Sequence, residues 1–256
     1  MKKHCVGIIM LCVVFLSFSS IMNAFAREHY WYCKRNAEHK QPTLDENFSY
    51  IKNFGGFYVD ERYSDNITDK VIYLTFDAGY ENGNVAKILD TMREEGVVGS
   101  FFVLGNLIDK NPDLVLRMVN EGHIVCNHTV NHVNLTSATL DKFKLELLGL
   151  EEKYRELTGK EMVKFFRPPE GTFSENMLKM AQNLGYRTAF WSFAYADWDN
   201  GAQLKNDVAM KKILDNLHNG EIMLLHPTSS TNAAIMRDLI RELKAQGYRF
   251  ATLEEI

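Results

Sequence analysis

Two histidines four residues apart, His128 and His132, stand out among the residues of this chain that could do chemistry. If the loop between them makes a helical turn, both imidazoles fall on one face, since positions i and i+4 are neighbours. That spacing can chelate a divalent ion, although it also arises by accident. Asp77 closes the apolar run 71–76 (VIYLTF). A carboxylate there is a turn cap, is paired, or is functional. Arg167 precedes Pro168-Pro169 on a stiff segment that cannot continue as a helix. It could pin a carboxylate through two parallel bonds or join a surface ion pair. His226 closes the run 222–225 and is either a satisfied core histidine or a proton donor. Tyr80, Asp197 and Trp198 are candidate substrate contacts, the tryptophan as a ring that lines a sugar site or one that only packs.

Each of these groups supplies what the others lack. A divalent cation on His128 and His132 would polarise an amide carbonyl and its water. Asp77 could take the water's proton, Arg167 could hold Asp77 ionised and oriented, and His226 could donate a proton to the leaving amine. Together they form a set for amide hydrolysis.

The elements that must position them follow a repeating type of unit: an apolar run, a polar turn, then an amphipathic helix. Strands are expected at 71–76, 100–104, 123–126, at Phe165-Phe166, and at 187–192, 221–225 and 248–252. Helices are expected at 84–95, from Asn111-Pro112 to Gly122, at 139–157, after Ser174, and at 207–218 and 233–246. The stripe Leu140, Phe143, Leu147, Leu150, Tyr154, Leu157 reads as a core face. Strand–helix alternation implies an α/β fold with a parallel sheet and right-handed connections. About seven such strands could close into a distorted (β/α) barrel or stay open. No glycine-rich dinucleotide turn follows the first strand, which favours the barrel. In such folds chemistry gathers where strands end. Asp77, His128, Arg167, Asp197 and His226 all follow strand-like runs, so a barrel would give them one mouth.

The chain has 256 residues and a formal net charge of −4, with no basic run that would suit nucleic acid. Lys2-Lys3, a short apolar stretch and Ala24-Phe25-Ala26 make 1–26 a secretory signal, cleaved or retained as a membrane anchor. The rest then works secreted or on the extracytoplasmic face of the membrane. Residues 27–70 are polar, aromatic and without clear periodicity, and are expected to wrap the barrel as an irregular lead-in to a catalytic domain at 71–256. Beyond the signal only Cys33 and Cys126 remain, a bridged pair or free thiols.

Five blocks in order resemble the polysaccharide deacetylases, carbohydrate esterase family four. They are Thr75-Phe76-Asp77-Ala78-Gly79, His128-Thr129-Val130-Asn131-His132, Arg167-Pro168-Pro169-Glu170-Gly171, Asp197-Trp198 and Leu224-Leu225-His226. The resemblance implies a distorted (β/α) barrel, Asp77 as base, His128 and His132 as metal ligands, and Arg167 orienting the base. It makes His226 the acid, with Trp198 packed beside it. The run Ala78-Gly79-Tyr80-Glu81-Asn82-Gly83, with Phe190-Trp191-Ser192 and Ser230-Thr231-Asn232, is similar to the delta-lactam-biosynthetic branch. Trp31-Tyr32, His39 and Pro42 match it more weakly. That branch acts on muramic acid residues stripped of peptide, on the way to spore-cortex delta-lactam, so a monomer acting on peptidoglycan glycan strands is expected. Three positions depart from the family pattern. Ala78 replaces a metal-binding aspartate, so weak binding of zinc, cobalt or manganese is expected, zinc first. Ala194 replaces an aspartate that tunes the acid histidine, and Glu170 would repel a muramic carboxylate if it pointed inward. The rival readings are deacetylation of another N-acetylated glycan, such as peptidoglycan N-acetylglucosamine or chitin oligomers, and a non-catalytic glycan-binding barrel.

Overall fold

The run Lys70–Ala78 has nearly every side chain buried, as a central strand covered on both faces requires. In the computed structural model, which describes residues 27–35, 38–64 and 67–256, it is the second of nine strands. These are β1 (His29–Tyr30), β2 (Lys70–Ala78), β3 (Ser100–Val103), β4 (Ile124–Asn127), β5 (Phe165–Phe166), β6 (Thr172–Phe173), β7 (Arg187–Thr188), β8 (Glu221–Leu225) and β9 (Tyr248–Phe250). The helices are α1 (Asn84–Glu95), α2 (Gly105–Lys110), α3 (Pro112–Asn120), α4 (Leu140–Thr158), α5 (Glu175–Asn183), α6 (Asn206–Leu214) and α7 (Ser230–Ala245). The expected signal at 1–26 lies outside the described residues. Among those described, no helix is long and apolar enough to cross a membrane.

Seven strands form one parallel sheet in the order β7-β5-β4-β3-β2-β8, with β9 also on β2. It curls into a half-barrel with helices outside, the expected α/β architecture. Its two faces follow the two-residue period of strands. Ile72, Leu74 and Phe76 pack with Val85, Ile88 and Leu89 of α1 and Ile235, Met236 and Leu239 of α7. Val71 and Tyr73 instead join Phe102, Ile124, Cys126, Phe165 and Ile222 in a core without α-helical side chains, the inside of the curl. Continued along each strand, the inward parity of Tyr73, Cys126, Phe165 and Ile222 reaches Asp77, His128, Arg167 and His226. The register aligns them: Asp77 pairs with Phe102, Asn127 with Val103 and Phe166, and Phe76 with Leu225.

The curl closes irregularly. Single bridges join Phe57 to Ala189, Val59 to Glu221 and Phe193 to Met223, so lead-in residues 57–59 occupy the seam between β7 and β8. This corrects the expected strand at 187–192. Its ladder stops at Thr188, because Phe190 donates to Phe57 O and Ser192 to Ile222 O at the seam instead of following one neighbour. The lead-in also carries structure its sequence did not announce: β1 pairs with β6, and Glu46–Phe54 forms a 3-10 helix capped by Asp45. The short helix α2 was not expected either. It starts at Gly105, where a Cβ would lie 2.9 Å from Val130 O, so only glycine allows the approach. On α4 the stripe from Phe143 to Tyr154 is buried as expected, but Leu140 is exposed in the first turn. Ser174 caps α5, whereas Asn111 makes no side-chain cap to α3. Cys33 and Cys126 are free thiols, which removes the bridge alternative.

Candidate active site

Asp77 reaches the end of β2 with a buried cation waiting for it. Arg167 Nη1 donates to Asp77 Oδ1 at 2.8 Å, and His128 Nε2 lies 3.5 Å from Oδ2. Arg167 is fully buried, its guanidinium 4.0 Å from the Phe102 ring centroid. Its Nε donates to Ala189 O at 3.2 Å and its Nη2 to Phe190 O at 3.3 Å. The rigid fork is thus held at two corners and aims the third nitrogen at Asp77. Burial opposes ionisation of Asp77, but the charges of His128, Arg167 and His226 and the Arg167 bond outweigh it, so its pKa is lowered. Burial dominates at His128 and lowers it to about 4. At neutral pH His128 is therefore uncharged, and Arg167 is the cation that keeps Asp77 ionised.

His128 Nδ1 donates to the carbonyl of Arg167 at 2.8 Å, so the lone pair sits on Nε2. His132 is exposed, with its ring centroid 5.0 Å from that of His128 and the planes at 69°. The two imidazoles meet, but not through the helical turn the spacing suggested. Thr129 and His132 have φ of 77° and 54°, a left-handed bend. For β-branched Thr129 this costs about 1–3 kcal/mol. Surrounding bonds offset it. Asn127 Oδ1 accepts from Thr129 N (2.9 Å), Thr129 Oγ1 accepts from His132 N (2.9 Å), and Glu146 of α4 accepts from Asn131 N (2.9 Å) and Nδ2 (3.0 Å).

Across the mouth, His226 Nδ1 donates to Asp197 Oδ1 at 2.7 Å, and His226 N donates to Oδ2 at 2.8 Å. Asn232 Nδ2 donates to the same Oδ2 at 2.6 Å and to His226 O at 3.1 Å, and Tyr195 OH donates to Asn232 Oδ1. Asp197 is 1% exposed. The expectation of a substrate contact is corrected here: both its oxygens are engaged beneath His226 and none is left for a ligand. It also supplies the carboxylate partner that Ala194 had put in doubt. Burial would lower the His226 pKa, but the Asp197 hydrogen bond and the charges of Asp197 and Asp77 outweigh it, so it is raised. Trp198 is exposed, its ring 6.0 Å from that of His226 in an edge-on arrangement, and Tyr80 is also exposed. Glu170 is exposed on a residue with φ of 57°.

Sequence reasoning missed Asn127, Glu146, Tyr195 and Asn232. Glu146 left one signal, a charge on the buried face of α4 three residues after Phe143. Tyr195 and Asn232 are polar residues whose partners are distant in sequence, and Asn127 acts on Thr129 through a bend that the spacing does not announce.

The donor set fits a divalent ion in part. A neutral imidazole whose Nδ1 is anchored to a carbonyl presents Nε2 as a ligand, and His132 stands beside it. No cluster of three or more His, Cys, Asp or Glu suited to a metal occurs among the described residues. His128 and His132 are two candidate ligands, where catalytic zinc sites usually have three.

A family model described as polysaccharide deacetylase matches residues 64–189. The Bacillus subtilis peptidoglycan-N-acetylmuramic acid deacetylase PdaA is 40% identical over 227 residues, 88% of this chain and 84% of its own. The chain belongs to the polysaccharide deacetylase family. Polysaccharide deacetylases hydrolyse carbon–nitrogen bonds, and this chain is such a hydrolase. Members of this carbohydrate esterase family are generally metal-dependent. The solved structure of B. subtilis PdaA, a family 4 carbohydrate esterase, superimposes with a TM-score of 0.83 at 39% identity, covering 89% of this chain and 96% of that one. A Bacillus cereus peptidoglycan-N-acetylglucosamine deacetylase is 33% identical over 193 residues, 73% of this chain and 88% of its own.

Proposed function

We propose that this deacetylase removes N-acetyl groups from muramic acid residues of peptidoglycan glycan strands, as a step toward spore-cortex delta-lactam. It acts as a monomer, secreted or held at the extracytoplasmic face by an uncleaved signal. One observation carries the chemistry. At one mouth Asp77 is bonded to the buried Arg167 at 2.8 Å and His226 to the buried Asp197 at 2.7 Å, partners that hold the first toward the ionised base and the second toward the protonated acid. The 40% identity to PdaA supports the sugar. The test is to incubate strands from purified wall, with and without stem peptide, with the protein. Released acetate and muramic acid without its acetyl group, seen by mass spectrometry, are expected. Acetate from N-acetylglucosamine alone, or none, would overturn the reading.

His128 and His132 would hold a divalent cation, zinc first, with cobalt or manganese as substitutes, and the cation would supply polarisation of the acetamide carbonyl and a more acidic water. Asp77 takes the proton from that water while Arg167 keeps it charged and aimed. His226 carries its Nδ1 proton to Asp197, so Nε2 is the atom that protonates the departing amine. Treating the protein with a chelator is expected to lower acetate release by about 100-fold or more, with recovery on adding zinc, cobalt or manganese. Held by only two protein ligands, the ion would strip easily. Full activity after chelation would remove both histidines from the ligand role.

Asp197→Asn gives a pH test. His226 donates only while protonated, so activity fades as pH rises through its pKa. Asparagine removes the Asp197 charge that raises that pKa and weakens the hydrogen bond by making its acceptor neutral, while burial, which lowers it, remains. The alkaline limb of the kcat/KM profile is expected to move to lower pH, so the loss is greater at pH 8 than at pH 6, where it is about tenfold. An unmoved limb would show that Asp197 does not act through His226.

A further inference from the structure

Among the described residues four aromatic rings are strongly exposed: Tyr30 (63%), Tyr32, Tyr80 and Trp198. Tyr80 and Trp198 follow strand ends at the mouth. Tyr30 belongs to the lead-in, yet its partners fix it on the same rim. Tyr30 pairs with Thr172, and Trp31 N donates to Gly171 O at 2.9 Å, so β1 runs beside the turn that follows Arg167. Glu28 accepts from Asn134 Nδ2 at 2.9 Å and Thr136 Oγ1 at 2.7 Å, both just beyond His132. Glu28 and the exposed Glu170 are both near enough to act on the Tyr30 phenol. The backbone pairing thus fixes where the ring stands, on a strand it does not help to pack, while the ring itself stays open to solvent.

A tyrosine fixed this way offers a flat apolar contact at little cost in side-chain entropy. The carbon–hydrogen face of a sugar ring matches it. Glu28 and Glu170, both near the phenol, disfavour an anionic sugar by like-charge repulsion and can accept hydrogen bonds from hydroxyls. We propose that Tyr30 is a stacking position for a neutral sugar that flanks the reacting residue on the His132 side. In a strand where neutral and anionic sugars alternate, both neighbours of a muramic residue are neutral, so this position also sets the register. The inference rests on the glycan-strand reading above and assigns the lead-in a part in binding.

The test is strand length. The wild type is expected to show a KM about fivefold lower for long strands than for a fragment that ends at the reacting residue. Tyr30→Ala is expected to collapse that difference by raising KM on long strands, with kcat kept within about twofold. Tyr30→Phe, which keeps the ring and loses the hydroxyl, is expected to retain it. Hydrogen exchange on the wild-type protein gives a reading independent of any variant: long, already deacetylated strands should protect residues 28–32, and short ones should not. The proposal is overturned if the wild type shows no length dependence, if Tyr30→Ala keeps it, if Tyr30→Phe loses as much as Tyr30→Ala, or if residues 28–32 gain no protection. Absence of acetate release from every muramic substrate would sink the proposed function instead, since the exchange experiment measures strand binding without turnover.

Discussion

Replacing Asp77 by asparagine is expected to lower acetate release about 10²- to 10⁴-fold, the range for removing a positioned base. The carboxylate is nearly enclosed, held below its ordinary pKa and bonded to Arg167 at 2.8 Å. Asparagine keeps the shape and an oxygen that can accept from Arg167, but it cannot take a proton. The loss should fall on kcat, since the substrate's remaining contacts are untouched. Asparagine also leaves Arg167, fully buried, without its counter-charge. The urea midpoint is therefore expected to fall together with the activity. Measuring both quantities separates the two effects. Acetate release within a few-fold of wild type would remove Asp77 from the base role whatever happens to stability.

Arg167→Met is the second large effect, and it begins as a stability effect. Removing one partner of a buried ion pair costs about 3–5 kcal/mol, because the other charge is left uncompensated. Here the carbonyls of Ala189 and Phe190 also lose their donors. Asp77, relieved of the cation, would be driven by burial toward its protonated form, and the base would be lost with it. Activity is thus expected to fall about as far as in Asp77→Asn, although Arg167 need not touch the substrate. Arg167→Lys should not rescue it, since a point charge cannot span Asp77 and two carbonyls. The double variant Arg167→Met with Asp77→Asn is expected to recover much of the midpoint and none of the activity, as neither buried charge remains. Denaturant unfolding of all three variants checks this. A double variant no more stable than either single one would show that the pair is not the source of the cost.

Much of the site was legible because the relevant signals are local. The run 71–76 alternates between two buried faces, so the inward parity that reaches Asp77 is written in adjacent residues. The same holds for Cys126 to His128 and Phe165 to Arg167. His128 and His132 declared themselves by spacing, and α1 by a stripe at helical pitch whose bounds matched the structure. The loop between the histidines was harder. A helical turn and a left-handed bend both bring i and i+4 together, and only contacts with Asn127 and Glu146 select the bend. The lead-in was opaque for a related reason. Its aromatic residues Trp31, Phe48 and Tyr58 pack with one another and with Phe173 and Phe190 in one cluster, at no fixed sequence period.

The residue types, their order and the periods of the strands and helices were enough by themselves to favour a parallel α/β barrel and to bring Asp77, His128, His132, Arg167 and His226 forward as candidates at one mouth. Tertiary structure alone decided that Asp197 lies beneath His226, that Asn232 and Tyr195 stand behind it, and that residues 57–59 fill the seam. The reason is physical. A period is a property of neighbouring residues, whereas a hydrogen bond between positions 29 or 90 apart, as in His226–Asp197 and Arg167–Asp77, exists only after strand register and loop path are set.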